Sequence, residues 1–342
     1  MSTPLIKVKR LAHVRVSAPD LEQAEKFLAE FGLQVAKRDT AAVYLRGTDA
    51  NPPCYLLTQG ESGVTAIAFE ADSMTDLETI AGIDGASGIE ALDGPCGGQV
   101  VRLTDPRGII IEIIHGQTTL DAIAGAPAHQ YNMDGERRRE GILPLFQRSA
   151  SHVKRLGHLV LESDDPRGLY HWYNTHLGLT RSDEVRLPDG DAFMIFSRLD
   201  RGQEYVDHHV VGFQFAVDEG TRVQHMAFEV GNFDDLIGGH EHLKKKKRKH
   251  IWGIGRHRLG GQIFDYWANP WGVIHEHWTD TDLINDDHVP TETLPGEFED
   301  YWGPAPSPKF IVSRWNFKTI KNLLRLLKAS RSAQPTPSAA VN

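Results

Sequence analysis

The chain has 342 residues, a formal net charge of −9, 40% hydrophobic residues and 24% charged residues. This length predicts two domains, and the acidic balance argues against a general nucleic-acid binder because little positive charge is available to offset phosphates. The two cysteines exclude a disulfide framework and fit a reducing cytoplasm, and neither a secretion signal nor an apolar run long enough to cross a membrane occurs.

In chain order, the predicted elements begin with a unit that occurs twice. Residues 10–33 and 155–179 both predict a strand, then a helix starting at an aspartate, Asp20 or Asp165, and ending at Gly-Leu. A self-similar pattern of this length indicates two copies of one structural unit.

Two further segments of each copy also match. Residues 64–77 match residues 223–236, and residues 97–113 match residues 260–277 with one residue inserted. Each half therefore predicts a βαβββ pattern that is repeated within the domain. The predicted fold class is α+β, with tandem βαβββ modules forming two curved mixed sheets whose concave sides suit a ligand.

The predicted domain organisation follows this repeat. It comprises a non-catalytic N-terminal domain (1–120), a linker (121–151), a catalytic metal-binding domain (152–290), a C-terminal extension with a helix (291–331) and a disordered tail (332–342). Residues 315–331 predict an amphipathic helix with a basic face, which packs on its own domain or on a partner subunit. The lysine-rich residues 243–250 predict a solvated helix end.

The two copies differ at three positions that can hold a metal ion. The first copy has His13, Ala66 and Glu112, and the second has His158, His225 and Glu276. A single buried histidine is more often an ordinary core residue than a ligand. Three aligned positions, completed in only one copy, instead predict one metal site in the second domain and a supporting role for the first.

Two imidazoles and one carboxylate on one face of an octahedral ion leave the opposite face open. This arrangement suits non-haem Fe(II), whose open positions can take an organic substrate and O₂. Zn²⁺ for hydrolytic or isomerase chemistry and Mn²⁺ also fit these ligands.

On these residues, the chain resembles the two-domain type I extradiol ring-cleavage dioxygenases of the vicinal oxygen chelate superfamily, over about residues 8–280. The segments that carry the resemblance are RLGHLVLE, VQHMAFEV and GRHRLGGQIFDYWANPWGVIHE. The resemblance implies Fe(II), or occasionally Mn(II), held by His158, His225 and Glu276. It further implies cleavage of a catechol-type aromatic diol by O₂ in aromatic-compound catabolism, with no other cofactor.

The same resemblance implies three catalytic side chains around the metal. A histidine beside the O₂ position matches the segment VDHHVVGF, where His208 fits better than His209. A histidine and a tyrosine that contact the diol match His257 and Tyr266. Since members of the family are commonly oligomeric, a homo-oligomer is also expected.

Two alternatives remain open at this point. One is a glyoxalase-type isomerase or lyase of the same superfamily, and the other is a protein that binds an aromatic ligand or a metal without turnover. The substrate is also open between mono- and bicyclic catechols, hydroquinones and trihydroxylated rings. The aromatic residues Trp252, Trp267, Trp271 and Phe264 can line an apolar pocket, which favours a bulky diol, or can belong to the core.

Overall fold

Two large mixed β-sheets form the protein, as seen in a computed structural model that describes residues 3–126, 130–141, 148–218, 222–295, 300–312 and 316–332. The first half contains β1 (Val8–Ala18), α1 (Leu21–Phe31), β2 (Gln34–Arg38), β3 (Val43–Arg46), β4 (Tyr55–Gln59), β5 (Gly63–Ala71), α2 (Met74–Ala81), β6 (Glu90–Ala91), β7 (Gln99–Thr104) and β8 (Ile110–His115). The second half contains β9 (Val153–Ser163), α3 (Pro166–Leu177), β10 (Thr180–Arg186), β11 (Ala192–Arg198), β12 (Val206–Asp207), β13 (Val211–Phe215), β14 (Arg222–Val230), α4 (Phe233–Lys245), β15 (Lys249–Arg256), β16 (Ile263–Ala268), β17 (Ile274–Thr279), β18 (Leu283–Ile284), β19 (Thr291–Thr293), α5 (Pro308–Ile311) and α6 (Phe317–Ser332).

The βαβββ pattern occurs twice in each sheet, which confirms the predicted fold class. The eight strands of the first sheet are ordered β2-β3-β4-β1-β5-β8-β7-β6, and the nine of the second are ordered β15-β16-β17-β14-β9-β13-β11-β10-β19. In each sheet the first strands of its two modules, β1 with β5 and β9 with β14, pair antiparallel at the centre. The two modules of a sheet therefore meet along one central strand pair.

Local sequence explains why the helices of the repeat begin and end alike. The side chain of Asp20 accepts a hydrogen bond from the backbone N–H of Gln23, and that of Asp165 accepts one from Gly168. Each caps N–H groups that the first turn of a helix leaves unpaired. The helices end at Gly32 and Gly178, whose φ values of 118° and 72° suit glycine.

Strand β17 connects the two halves of the molecule. Its alternate residues His275 and His277 point towards the first domain, where His277 Nε2 donates to the carbonyl of Phe31 at 2.7 Å. His275 Nε2 lies 3.3 Å from the hydroxyl of Tyr55. Because successive side chains of a strand face opposite sides, Glu276 points the other way, into the second sheet.

The C-terminal residues pack on the second sheet rather than extending away from it. Strand β19 pairs in parallel with β10, and the backbone of Trp302 bridges to that of Arg256. The domain boundaries, including the one at residue 290, stay predictions, and residues 333–342 of the predicted tail lie outside the described residues. In the described part of the chain, no helix is long and apolar enough to cross a membrane.

Candidate active site

The three predicted metal ligands converge on the concave side of the second sheet. His158 on β9, His225 on β14 and Glu276 on β17 come from three adjacent strands. The Nε2 atoms of both histidines lie 3.2 Å from Glu276 Oε2, and all three side chains are buried. Their ligand atoms lie within 4.8 Å of one another, close enough to share one ion.

The atoms of this triad fit a bound cation. His225 Nε2 and both carboxylate oxygens of Glu276 are buried and have no hydrogen-bond partner among the described residues. Because burying an unpaired carboxylate costs several kcal/mol, this arrangement calls for a compensating positive charge. Two nitrogen ligands and one oxygen ligand suit a divalent transition metal and leave coordination positions open.

The protonation states of the triad also suit a metal. Burial favours the neutral form of Glu276, but the adjacent His158 and His225 outweigh it, so the pKa of this carboxyl is lowered. Burial lowers the pKa of His225 despite the nearby carboxylate. The site therefore holds an ionised carboxylate and a neutral imidazole at pH 7, the forms that bind metal.

A β-bulge helps to orient His225. The pairing of β14 with β9 shifts between Val223 and His225, and the intervening Gln224 directs its amide oxygen to His225 Nδ1. The amide nitrogen of Gln224 in turn donates to the carbonyl of Phe310 at 3.0 Å. The C-terminal helix α5 thus fixes, through Gln224, the ring of a candidate ligand.

The structure places His209, rather than His208, in the wall of the cavity. The ring centroid of His209 lies 4.3 Å from that of His158. The side chain of His208 turns away, with Nε2 at 2.7 Å from Asp183 Oδ2 and Nδ1 at 3.1 Å from His209 Nδ1. The assignment of His208 to the cavity is therefore wrong in this structure, because its imidazole is held by Asp183 behind the cavity wall.

This hydrogen-bond chain sets the tautomer of His209. Burial favours protonation of Asp183, but the bonds from His208 and Thr291 outweigh it, so its pKa is lowered and it acts as an acceptor. Asp183 accepts from Nε2 of His208, and in the Nε2–H tautomer of His208 its Nδ1 accepts from His209 Nδ1. The pKa of His209 is lowered far below its usual value by burial and by His158, so this imidazole is neutral with Nε2 unprotonated.

His257 and Tyr266 meet on the opposite side of the triad, as predicted for a pair that contacts substrate. Their Nε2 and hydroxyl atoms lie 3.1 Å apart, and His257 Nδ1 lies 2.8 Å from Asp300 Oδ1. Burial and the charge of Glu276 raise the pKa of Tyr266 well above its usual value, so the phenol remains protonated. The sequence did not predict the contact of Asp300 with His257, because Asp300 lies in the C-terminal extension beyond the repeat.

A cavity of about 290 Å³ lies next to these residues and is lined mainly by apolar side chains. Its wall includes Trp252, as predicted, together with Phe196 and three residues of the C-terminal helices: Phe310, Leu323 and Leu326. Trp267 and Trp271 do not line it. Trp267 donates to Asp265 on the other face of β16, and Trp271 lines a separate cleft.

Phe264 and His240 pack near the site but do not line the cavity. Phe264 stacks on His257 at a centroid distance of 4.0 Å and supports that ring. His240 is half-buried on α4, and its Nδ1 lies 3.0 Å from Asp265 Oδ2. His250 reaches the other oxygen of Asp265 at 2.8 Å. With Trp267 as a third donor, this carboxylate has its full set of partners, so the group serves as a structural network.

The corresponding position of the first sheet contains a different network. The carboxylate of Glu112 accepts from Arg15 Nε at 2.8 Å and from Arg102 Nε at 2.9 Å, and lies 3.0 Å from His13 Nε2. Burial acts to raise the pKa of Glu112, but His13 and Arg15 outweigh it and lower the pKa to about 2. Two guanidinium groups thus neutralise Glu112, whereas Glu276 in the second sheet is placed to bind a metal ion.

Comparisons with known proteins agree with this architecture. Residues 155–276 match the family model for the Glyoxalase/Bleomycin resistance protein/Dioxygenase superfamily. Metapyrocatechase 2 of Cupriavidus necator is 28% identical over 318 residues, covering 90% of this chain and 93% of that protein. An iron-dependent extradiol dioxygenase of Rhodococcus jostii (strain RHA1) is 25% identical over 301 residues, covering 82% and 92%.

Solved structures show the same fold. A Mn(II)-bound glyoxalase from Novosphingobium aromaticivorans has a TM-score of 0.74 at 21% identity, covering 90% of this chain and 95% of the other. Homoprotocatechuate 2,3-dioxygenase from Arthrobacter globiformis has a TM-score of 0.73 at 21% identity, covering 92% and 93%. The fold is therefore common to a glyoxalase and a dioxygenase, and does not separate the two activities.

Residues 155–276 form a domain of the Glyoxalase/Bleomycin resistance protein/Dioxygenase superfamily. The chain as a whole is similar over most of its length to an iron-dependent extradiol dioxygenase. A metal cofactor is consistent with both the triad and the metal-dependent relatives.

Proposed function

We propose that this protein is an extradiol dioxygenase, which inserts both atoms of O₂ into an aromatic diol and opens the ring next to the diol. The observation that carries the proposal is the set of proton-transfer groups around the triad. His209 lies against one ligand and the His257–Tyr266 pair against another, and all of them line one apolar cavity. The similarity to an iron-dependent extradiol dioxygenase over 82% of this chain supports the same activity.

The proposed metal is Fe(II), with Mn(II) as the alternative, bound by His158, His225 and Glu276. Such an ion would acidify the diol, hold it beside O₂ and allow electron transfer between them. One carboxylate and two neutral histidines leave net positive charge at the site, which favours an anionic diol. The cavity wall excludes water because it is formed largely by apolar side chains.

His209 is proposed to move a proton during the reaction. Its unprotonated Nε2 can accept a proton from one diol hydroxyl, after which the imidazolium can return that proton to an oxygen of the product. His208 and Asp183 hold the other side of the ring, so the tautomer and orientation are fixed. The sequence prediction placed His208 beside the O₂ position, and the proposal gives that place to His209.

His257 and Tyr266 are proposed to hold the second oxygen of the diol. Tyr266 stays protonated and can donate a hydrogen bond, while His257 Nε2 is left to accept one because Asp300 holds the proton on Nδ1. The pair can therefore adjust to a substrate oxygen in either protonation state. A homo-oligomer and a cytoplasmic location stay predictions, as does a non-catalytic role for the first domain.

The test is oxygen uptake by protein that is purified without oxygen, reconstituted with Fe(II) and given a panel of catechols. We expect stoichiometric O₂ consumption and a yellow ring-opened product. Glu276→Gln should abolish both, because it removes the anionic ligand, whereas the matched change Glu112→Gln in the first domain should retain both. If a fully metal-loaded protein consumes no O₂ with any diol, the glyoxalase-type activity of its structural neighbour becomes the better proposal.

A further inference from the structure

Gln262 presents an unpaired amide at the wall of the candidate cavity. The residue immediately precedes β16 and is only 1% exposed. Neither its Nε2 nor its Oε1 has a hydrogen-bond partner among the described residues, although its backbone carbonyl accepts from His257. A buried amide without partners costs free energy unless another molecule pairs with it.

The fold does not require a glutamine at this place. The first copy has the same Gly-Gly-Gln sequence, but its Gln99 lies one residue further along, at the start of β7, where it is exposed. Two other glutamines near the cavity are already engaged, since Gln224 bridges His225 and Phe310 and Gln214 lies 3.5 Å from Glu162 Oε1. Gln262 therefore differs from its neighbours in having both amide atoms available to a ligand.

The surroundings restrict what this amide can bind. No lysine, arginine, aspartate or glutamate is found among the described residues that line the cavity. A charged substituent that contacts only these lining residues, away from the metal, would have no counter-charge, which is strongly unfavourable. A neutral oxygen substituent would pair with the amide while the rest of the ligand contacts Leu259, Trp252 and Phe310.

We propose that Gln262 is a specificity-determining residue that hydrogen-bonds a neutral hydroxyl or carbonyl substituent on the diol substrate. This inference rests on the proposed ring-cleavage function and narrows its substrate to uncharged, oxygen-substituted aromatic diols. The volume of about 290 Å³ lies at the lower limit of small-molecule sites and suits a substituted single ring.

The test uses substrates that differ only at the substituent. 3-(2-Hydroxyethyl)catechol and 3-propylcatechol have side chains of equal length, and the saturated linker keeps the hydroxyl from altering the ring. The corresponding pair of 4-substituted catechols places the same two side chains at the neighbouring ring position, in case Gln262 faces that position instead. For one of these pairs, wild-type protein should show the higher kcat/KM for the hydroxyl member, although an apolar cavity alone would favour propyl.

Gln262→Met keeps the side-chain length and removes both polar atoms. We expect it to lower the hydroxyl-to-propyl ratio of kcat/KM by about 10-fold or more, because a hydrogen-bonding site discriminates strongly against analogues that lack the group. Gln99→Met is the matched control and should keep the wild-type ratio. Gln262→Leu provides a second variant if the first folds poorly.

Binding separates this inference from the proposed function. Dissociation constants for both catechols, measured by calorimetry without oxygen on Zn(II)-loaded protein, should shift in the same ratio without any turnover. If the Gln262 variants cleave the ring but keep the wild-type hydroxyl-to-propyl ratio, the inference about Gln262 is wrong, while the proposed function stands. If wild-type protein consumes no O₂ with any diol, the proposed function is rejected instead, whatever the ratio of the dissociation constants.

Discussion

His209 and His208 are neighbours in the chain, yet their side chains have different surroundings. His209 contacts His158 and Phe196, whereas His208 is tied to Asp183. We expect His209→Phe to keep a normal metal content, since it supplies no ligand. Turnover should fall by about 10²- to 10⁴-fold, the usual contribution of a positioned acid–base group.

Metal analysis and steady-state O₂ uptake on the same preparation check this prediction for His209. His171→Phe, on the exposed face of α3, is the control and should behave as wild type. Full turnover in the His209 variant would remove this residue from the mechanism. A loss of metal would show that it supports the triad instead.

The sequence could not decide between these two histidines. In a regular strand, adjacent side chains face opposite sides, so only one of the two would face the cavity. Residues 208–210 instead form an irregular segment between β12 and β13, where side-chain alternation does not apply. By contrast, His158, His225 and Glu276 lie within paired strands, and the structure brings all three together as expected.

Asp300 offers a second prediction at the level of a single residue. Asp300→Asn should weaken the selection of the Nδ1–H tautomer of His257, because an amide can donate as well as accept. Imidazole ¹⁵N shifts of His257 in the metal-free protein should reveal mixed tautomers, and kcat should fall more than KM changes.

Asp280→Asn is the matched control for Asp300. Asp280 is exposed and pairs with Arg256, so its variant should leave the His257 shifts unchanged. Unaltered His257 shifts in Asp300→Asn would mean that this carboxylate does not position the imidazole.

Strand β17 has a predictable response to acid. Burial lowers the pKa of His275 to about 3, whereas an unfolded histidine titrates near about 6.5. Between these values the unfolded chain binds a proton that the folded protein does not, so stability falls as the pH decreases from 6.5 towards 3. The loss for this residue approaches about 1.4 kcal/mol for each pH unit within that window.

His275→Phe should reduce this dependence. The ring lies among Phe27, Phe31 and Phe228, so phenylalanine suits the space but leaves the Tyr55 hydroxyl unpaired. We expect a lower urea midpoint at pH 7.5 and a smaller further decrease at pH 5.5 than in wild type. His171→Phe should keep the wild-type decrease, and an unchanged decrease in His275→Phe would contradict the prediction.

At the level of elements, the repeat predicted where helices begin, whereas the aromatic residues did not show which of them line the cavity. Helix starts at Asp20 and Asp165 were confirmed because capping depends on local chemistry. The position of Trp267 was open from sequence, since both faces of β16 are buried and hydrophobicity does not mark the cavity side. Pairing of Tyr266 with Glu276 across the strands fixes that side.

In the described part of the chain, only one of the two sheets combines two histidines and a glutamate at the matching positions of its modules. In the first sheet, Arg15 and Arg102 occupy the positions of Val160 and Tyr266 and neutralise Glu112. We therefore expect one metal ion per chain. Ala66→His should still bind one, because both guanidinium groups remain.

The combined change Ala66→His, Arg15→Val and Arg102→Tyr should raise the metal content towards two per chain. It restores the ligand set and removes the competing cations at once. Inductively coupled plasma analysis after dialysis measures the stoichiometry, and Glu112→Gln added to the triple variant should reverse the gain. A second ion bound by Ala66→His alone would show that the arginines do not exclude metal.

The role of the C-terminal extension could be read only from three-dimensional packing. Its sequence showed an amphipathic helix, and such a helix has many possible partners. The structure places its Leu323 and Leu326 in the cavity wall and its Phe310 carbonyl against Gln224. These contacts join residues far apart in the chain, so local patterns carry no sign of them.

Because part of the cavity wall comes from the C-terminal helices, the order of synthesis and the site of proteolysis affect the cavity. The last triad ligand, Glu276, emerges from the ribosome about 50 residues before Leu326, so the ligands precede the wall that closes over them. Cleavage by a protease between β19 and α5 would keep the triad but detach the segment that covers it. The cavity wall is therefore complete only while α6 remains attached to the chain.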